Sequence, residues 1–178
     1  MTTVSDPVTG LALGLPDLWK NQVPAAVDLL LINEDPSRPE HVFRPNAVAA
    51  VVPVKDDVTV MDFLEQSTRA WITAFPGGQI DAVDFDVLDG HEARRVISSY
   101  VDEFAGVTVI SYLSVANALA TRIDVSVGVW DTAFGIEVAR EISSGFVAPT
   151  RFAEDSAIES GQRTGFVDFV KGLISSDR

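Results

Sequence analysis

The segment FDVLDGHEARR, residues 85–95, places two aspartates, one glutamate, two arginines and one of the chain's two histidines around a single glycine. Side chains of these types can act as general acids and bases, and histidines and carboxylates can also bind metal ions. The segment could therefore be a reaction centre, a metal site or a β-hairpin with charged edges.

The spacing of these side chains does not match a known metal site. A calcium-binding loop that begins at Asp84 needs an oxygen ligand at its fifth position, where the chain has Leu88. A zinc-protease helix needs a second histidine four residues after His91, and that position is Arg95. The other histidine, His41, is distant in sequence, and the chain has no cysteine. The sequence therefore predicts neither a metal site nor a bound cofactor.

Motifs for nucleophilic and nucleotide chemistry are also missing. The chain has no GxSxG motif, no GxGxxG motif and no phosphate-binding loop with its lysine. The aspartates of IDAVDFDVLD, residues 80–89, could act as an acid–base pair, but alternate positions of a strand face the same way. We interpret them as a solvent-facing row. The protein is therefore predicted not to be an enzyme; the enzymatic alternative left open is a hydrolase that uses His41 or His91 with a nearby carboxylate.

A hairpin explains the same residues structurally. Asp89-Gly90 is typical of a two-residue type I′ turn, because both central residues of this turn need a positive φ. With this turn, Asp84 lies opposite Arg95, and the two side chains are expected to form a cross-strand ion pair. The intervening apolar residues have the alternation of a half-buried strand. They are Val83, Phe85 and Val87.

The rest of the chain alternates between extended and helical patterns. Thr59 and Asp62 form a candidate capping box for a first helix, and a second helix is expected to begin at Asp131 or Thr132 and to end at Gly145. Extended patterns cover residues 11–16, 25–32, 42–54, 80–88, 93–104, 107–115 and 119–129. This order predicts an α+β fold with a mostly antiparallel sheet of about six or seven strands flanked by helices.

A division near residue 147 is also predicted. We expect an α+β domain over residues 1–147, followed over residues 148–178 by a polar linker and an amphipathic helix that packs on the same domain. The apolar side of that helix is the alternative partner surface. Its leading members are Phe166, Phe169 and Leu173.

Three tryptophans are candidates for burial or for ligand contact. Large aromatic side chains usually fill the core or its rim, which is the expectation for all three. The alternative is that they line a pocket between the sheet and the helices. They are Trp19, Trp71 and Trp130.

Composition limits the classes of partner. The chain has 178 residues, 26 acidic and 13 basic side chains and a net charge of −13. Nucleic acids and anionic membranes are bound by basic surfaces, so neither is an expected partner. The first residues lack the pattern of a signal peptide, and no apolar stretch reaches the length of a membrane span, which about 18 residues would require. The sequence therefore predicts a cytoplasmic protein without a membrane span.

Four motifs resemble a known family. They are GLALGLPDLW (residues 10–19), FRPNAVAAVVPV (residues 43–54), LDGHEARR (residues 88–95) and EISSGF (residues 141–146). Their order is similar to that of the actinobacterial LpqN/LpqT-type proteins of the PsbP-like superfamily. The resemblance covers residues 10–146 and implies an α/β/α sandwich with a largely antiparallel sheet.

The resemblance implies a binding role and no catalytic residues. Proteins with this fold include an assembly factor of the photosystem and a Ran-binding nuclear transport factor. The chain departs from the lipoprotein members, since it shows neither a signal peptide nor an acylated cysteine. We therefore expect a non-catalytic accessory or protein-interaction module whose partner is another protein; the alternative is a binding protein for a small metabolite or lipid. The oligomeric state is left open.

Overall fold

The structure is a computed structural model that describes residues 2–22, 28–35, 37, 43–101 and 105–150. Two α-helices and nine strands occur in this part of the chain. The helices are α1 (Val60–Ala74) and α2 (Thr132–Ser144). The strands are β1 (Thr2–Ser5), β2 (Ala12–Leu15), β3 (Trp19–Gln22), β4 (Leu29–Asn33), β5 (Asn46–Pro53), β6 (Gln79–Leu88), β7 (His91–Val101), β8 (Gly106–Ala116) and β9 (Leu119–Gly128).

Seven of the strands form one antiparallel sheet. Their order is β3-β4-β5-β9-β8-β7-β6, so β6 is an edge strand. The last four strands follow one another along the chain as a meander, which is the arrangement that short turns favour. β1 and β2 form a separate two-stranded ribbon.

The helices lie on opposite faces of the sheet, and β8 shows the division. Successive side chains of a strand point to opposite faces. Val107 and Val109 belong to an apolar cluster with Trp71 of α1. Ile110 and Tyr112 belong to the main core, which includes residues of α2. The predicted fold class, an α/β/α sandwich with a mostly antiparallel sheet, is confirmed.

The predicted start of α1 is also confirmed. Thr59 is the N-cap, its hydroxyl accepts a hydrogen bond from the Asp62 amide, and the Asp62 carboxylate accepts one from the Thr59 amide. The Asp62 carboxylate also accepts a hydrogen bond from the Thr59 hydroxyl. This reciprocal pairing satisfies two amide groups that the first helical turn leaves without intrahelical partners.

The same hydrogen bonds from Thr59 hold the pKa of Asp62 below its ordinary value. Because the folded-state pKa is the lower one, the stabilisation is present above the ordinary value and is lost as the pH falls through the lowered value. We expect an NMR titration of the Asp62 carboxyl carbon to give a pKa below that of an unstructured aspartate. Replacing Thr59 by alanine removes the hydroxyl but keeps the amide, so it should raise the pKa of Asp62 part of the way toward that value. An unchanged titration in this variant would contradict the capping assignment.

Two short strands were not predicted from the sequence. β1 and β3 have four residues each, and their side chains are mostly polar and exposed. Their extended conformation depends on pairing, β1 with β2 and β3 with β4. Trp19, which the sequence placed at a turn, is the first residue of β3 and pairs with Asn33 of β4.

Two of the family-like motifs meet at a close contact between backbones. Gly14 in β2 lies against the carbonyl oxygen of Glu141 near the end of α2, and Gly145 lies against the backbone of Gly14. A Cβ atom at either glycine would overlap backbone atoms, which cannot move aside as a flexible side chain can. The contact therefore requires glycine at both positions.

Residues 148–150, which the sequence assigned to the linker, contact the domain. The amide of Ala148 donates to Asp89 Oδ2 over 3.0 Å, and the amide of Thr150 donates to the carbonyl oxygen of Thr9 over 3.0 Å. The predicted C-terminal helix with Phe166, Phe169 and Leu173 lies outside the described residues, as does His41.

Candidate functional site

The charged segment that opens the sequence is a β-hairpin. Asp89 and Gly90 have φ values of 48° and 77°, as a type I′ turn requires, and the register pairs Leu88 with His91. Asp84 lies opposite Arg95 as predicted, with Oδ2 and Nη2 2.8 Å apart. The hydrogen bond to Asp84 raises the pKa of Arg95. The ion pair therefore joins the two strands in the register that the turn sets.

Metal chemistry finds no support in the described part of the chain. Among these residues, no three histidine, aspartate or glutamate side chains come close enough to share a metal ion. His91 begins β7 and lies opposite Leu88, an apolar neighbour.

The three tryptophans have different surroundings and do not form one site. Trp19 lies in the main core with residues of α2. Trp71 is 3% exposed and packs beneath α1 against Phe75 and Tyr100, with ring centroids 4.4 and 5.6 Å away. Trp130 is 97% exposed, contrary to the expected core or rim position. It lies in a short turn between β9 and α2, outside both apolar layers.

A small cavity adjoins Trp71 between α1 and the sheet. Its volume is about 10 Å³, and its polar lining includes Ser67, Ser98 and Ser111. The indole Nε1 of Trp71 is buried and has no hydrogen-bond partner within the described residues. A space of this size holds about one water molecule. The cavity is therefore too small for the metabolite or lipid that the alternative hypothesis requires.

A buried ion pair that was not predicted borders the same cavity. Arg122 and Asp124 are 9% and 1% exposed, and Arg122 Nε lies 2.8 and 3.0 Å from the two carboxylate oxygens. Both residues lie two positions apart on β9 and point toward the face that α1 covers. The sequence signal was an arginine and an aspartate at alternate positions of an otherwise apolar strand. Asp124 is almost fully buried and Arg122 only 9% exposed, so the pair has little contact with solvent.

Among the described residues, a continuous row of exposed apolar side chains lies along β6. Phe85 is 68% exposed, and Val83 and Val87 are each about half exposed. These three residues form what we term the β6 apolar row. Asp84 and Asp86, on the opposite face of the strand, are only partly exposed and form the acidic row. The prediction that the apolar residues are buried was wrong, whereas the aspartates are partly exposed to solvent.

The position of α1 explains why the apolar side chains of β6 are exposed. The helix packs mainly on β7 and β8, covers Ile80 at the start of β6 and leaves Val83, Phe85 and Val87 exposed. At the border, Arg94 of β7 lies over the Phe85 ring, 5.1 Å from its centroid, and its Nε lies 3.3 Å from the sulfur of Met61 on α1. The half-exposed Met61 extends the β6 apolar row toward the helix. An alternating pattern shows that a strand has an apolar face, but not which face the helices cover.

A second group of exposed apolar side chains lies at the other end of the sheet. Val101 at the end of β7 is 83% exposed, and Val129 and Trp130 follow β9. The start of β8 joins them, since Gly106 pairs with Val101 and contacts Val129. These three side chains come from two separate strand ends, whereas the β6 apolar row follows one continuous strand.

Three solved structures share this architecture. LpqN of Mycobacterium tuberculosis, which is involved in cell envelope biogenesis, is 19% identical with a TM-score of 0.66, and the match covers 83% of this chain and 90% of LpqN. CyanoP, the PsbP of the cyanobacterium Synechocystis, is 13% identical with a TM-score of 0.62, over 83% of this chain and 91% of CyanoP. The fold is PsbP-like.

The third similar structure is a binding protein. Mog1p of Saccharomyces cerevisiae, a Ran-binding protein, is 9% identical with a TM-score of 0.59, and the match covers 83% of this chain and 94% of Mog1p. No family model matches the chain. No curated protein matches it significantly. At these identities the similarity shows the PsbP-like fold, and a fold does not determine a function.

The described residues contain no helix that is both long enough and apolar enough to cross a lipid bilayer.

Proposed function

We propose that this protein is a non-catalytic accessory module that binds another protein through the β6 apolar row and the adjoining Met61. The observation that supports this most directly is the exposure of Val83, Phe85 and Val87 along one face of an edge strand. Contiguous apolar side chains at a protein surface favour association, because burying them removes apolar area from water.

The composition of the row suits a binding surface. An aromatic side chain at the centre and an arginine beside it are the residue types that contribute most to protein interfaces. Here Phe85 lies between two valines, and Arg94 stacks on its ring. Glu92, which lies opposite Val87 on β7 and forms an ion pair with Arg94, supplies a polar neighbour on the same face. The acidic charge of the chain disfavours a nucleic acid as the partner.

The similar structures are compatible with this proposal. Mog1p is described as a Ran-binding protein, so one protein with this fold binds another protein. A small ligand held between α1 and the sheet has less support, because the cavity there, beside Trp71, has room for about one water molecule.

Photo-crosslinking from the proposed surface tests the function. The full-length protein carrying p-benzoylphenylalanine in place of Phe85 would be produced in its native cells and irradiated. We expect a covalent adduct with one protein of defined mass. The same substitution in place of Trp130 is a matched control, because that aromatic residue is also exposed but lies outside the row.

Point variants make the test quantitative. Phe85→Asp is expected to reduce copurification of the crosslinked partner by at least about tenfold, as loss of an interface hot spot does, whereas Trp130→Asp should leave it unchanged. The proposal is wrong if no protein adduct forms at position 85, or if Trp130→Asp alone abolishes capture. A crosslink from position 85 to residues 151–178 of the same chain would also overturn it, because the row would then be covered intramolecularly.

A further inference from the structure

The backbone of β6 has a polar edge that faces away from the sheet. In an antiparallel pair, the amide and carbonyl groups of alternate residues point toward the partner strand, and those of the others point away. Leu88 and His91 flank the two-residue turn and therefore bond to each other across the hairpin. The outward groups are those of Val87, Phe85 and Val83, because the register from Leu88 to Val83 is regular.

A hydrogen bond supports this assignment. The amide of Val87 donates to Asp86 Oδ1, 2.8 Å away, and so points to the free side of the strand. Within the described part of the chain, the sheet ends at β6, and no further strand pairs with it. The residues whose backbone groups face away from the sheet are thus the members of the β6 apolar row, and of their amides that of Val87 is bonded to Asp86.

The same residues of β6 have outward backbone groups and apolar side chains, and this determines which residue types an added strand needs. In an antiparallel addition, a residue that exchanges hydrogen bonds with Phe85 places its side chain on the same face as the Phe85 ring, so it must be apolar. The residues before and after it in the added strand place their side chains on the opposite face, next to the acidic row of Asp84 and Asp86. Arg95 is bonded to Asp84, and Asp86 has no basic residue opposite it on β7 because its partner there is Ala93. The positions of the added strand that face Asp84 and Asp86 therefore favour lysine or arginine.

Charge disfavours a second copy of this chain as the added strand. If two β6 strands paired antiparallel about Phe85, each Asp84 would lie opposite an Asp86 of the other copy. Like charges that lie directly opposite each other destabilise a strand pair. The net charge of −13 adds to the repulsion between copies.

We propose that β6 binds an extended segment of a partner protein as an eighth, antiparallel strand, and that this segment alternates apolar residues with lysine or arginine. The apolar residues cover the β6 apolar row, and the basic residues pair with the acidic row. Main-chain hydrogen bonds to Val83 and Phe85 provide affinity, as in other cases of strand addition. This inference rests on the proposed function and specifies the binding mode and the class of partner.

NMR titration of the full-length protein with an octapeptide that alternates valine and lysine tests the proposal. We expect the largest shift changes at the amides of Val83, Phe85 and Val87. Binding should weaken at least fivefold when the salt concentration is raised from about 0.05 to about 0.5 M, because exposed charge pairs are screened. An octapeptide that alternates valine and glutamate is the charge control and should bind at least tenfold more weakly.

Backbone methylation separates strand addition from simple hydrophobic contact. In the antiparallel arrangement, the valine amides of the peptide point toward β6 and the lysine amides point away. N-methylation of two valines is expected to abolish the shift changes, and N-methylation of two lysines should preserve them. On the protein side, Asp86→Asn keeps an oxygen acceptor for the Val87 amide but removes the charge, and it should weaken binding of the lysine peptide about threefold or more.

Two results would overturn the inference. One is unchanged affinity for the peptide with methylated valines, and the other is self-association of the protein that Phe85→Asp abolishes, which would assign the row to a second copy. If methylation of the valines leaves the affinity unchanged but Phe85→Asp still loses native partner capture, strand addition is rejected and the protein-binding function is retained. Peptide binding at β6 without any effect of Phe85→Asp on native capture would instead reject the function.

Discussion

Replacement of Trp71 by alanine is expected to lower the free energy of unfolding by about 3–5 kcal/mol, the range measured for large aromatic residues in protein cores. The side chain is 3% exposed and joins α1 to the sheet through Phe75 and Tyr100. Because this large side chain is buried between α1 and the sheet, its loss leaves a cavity between the two layers. Urea denaturation followed by circular dichroism measures the change.

Trp130→Ala is the matched control for this prediction. The same atoms are removed from a side chain that is 97% exposed, and the expected change is within about 0.5 kcal/mol. Trp71→Phe should lower the free energy of unfolding less than Trp71→Ala does, because the ring contacts largely remain. The buried Nε1 that the phenylalanine variant lacks has no partner among the described residues. Equal losses for Trp71→Ala and Trp130→Ala would contradict the placement of α1 on the sheet.

Removal of the Asp124 carboxylate is expected to have an effect of similar size. Asp124→Ala leaves the Arg122 guanidinium buried without its carboxylate, and breaking a buried ion pair in this way typically costs about 3–5 kcal/mol. Both Nε–oxygen distances are 3.0 Å or less, and the two residues are 9% and 1% exposed. Urea denaturation of the single variant at neutral pH measures the loss.

A double replacement distinguishes pairing from packing. Arg122→Met combined with Asp124→Leu removes both charges and keeps most of the volume, so it should recover most of the stability that Asp124→Ala loses. With the single variants Arg122→Met and Asp124→Leu, a double-mutant cycle gives the coupling free energy between the two positions. If the double variant is as unstable as Asp124→Ala, the loss comes from packing at β9 and the ion-pair explanation is wrong.

Much of the local structure could be predicted because it depends on short-range chemistry. The Asp89-Gly90 turn determined which residues of β6 and β7 lie opposite each other, and with them the pair of Asp84 and Arg95. The capping box set the start of α1. Each of these features depends on neighbours in sequence or on a register that one turn fixes, so no knowledge of the distant chain is needed.

The candidate site could not be predicted, because it depends on the position of a helix relative to an edge strand. Alternation along β6 identified an apolar face, and only the packing of α1 on β7 and β8 leaves that face in solvent. The contrast between Trp71 and Trp130 has the same cause, since one side chain lies under the helix and the other lies beyond both layers. Periodicity shows which residues share a face, whereas burial depends on contacts between distant segments, and these form only in the folded protein.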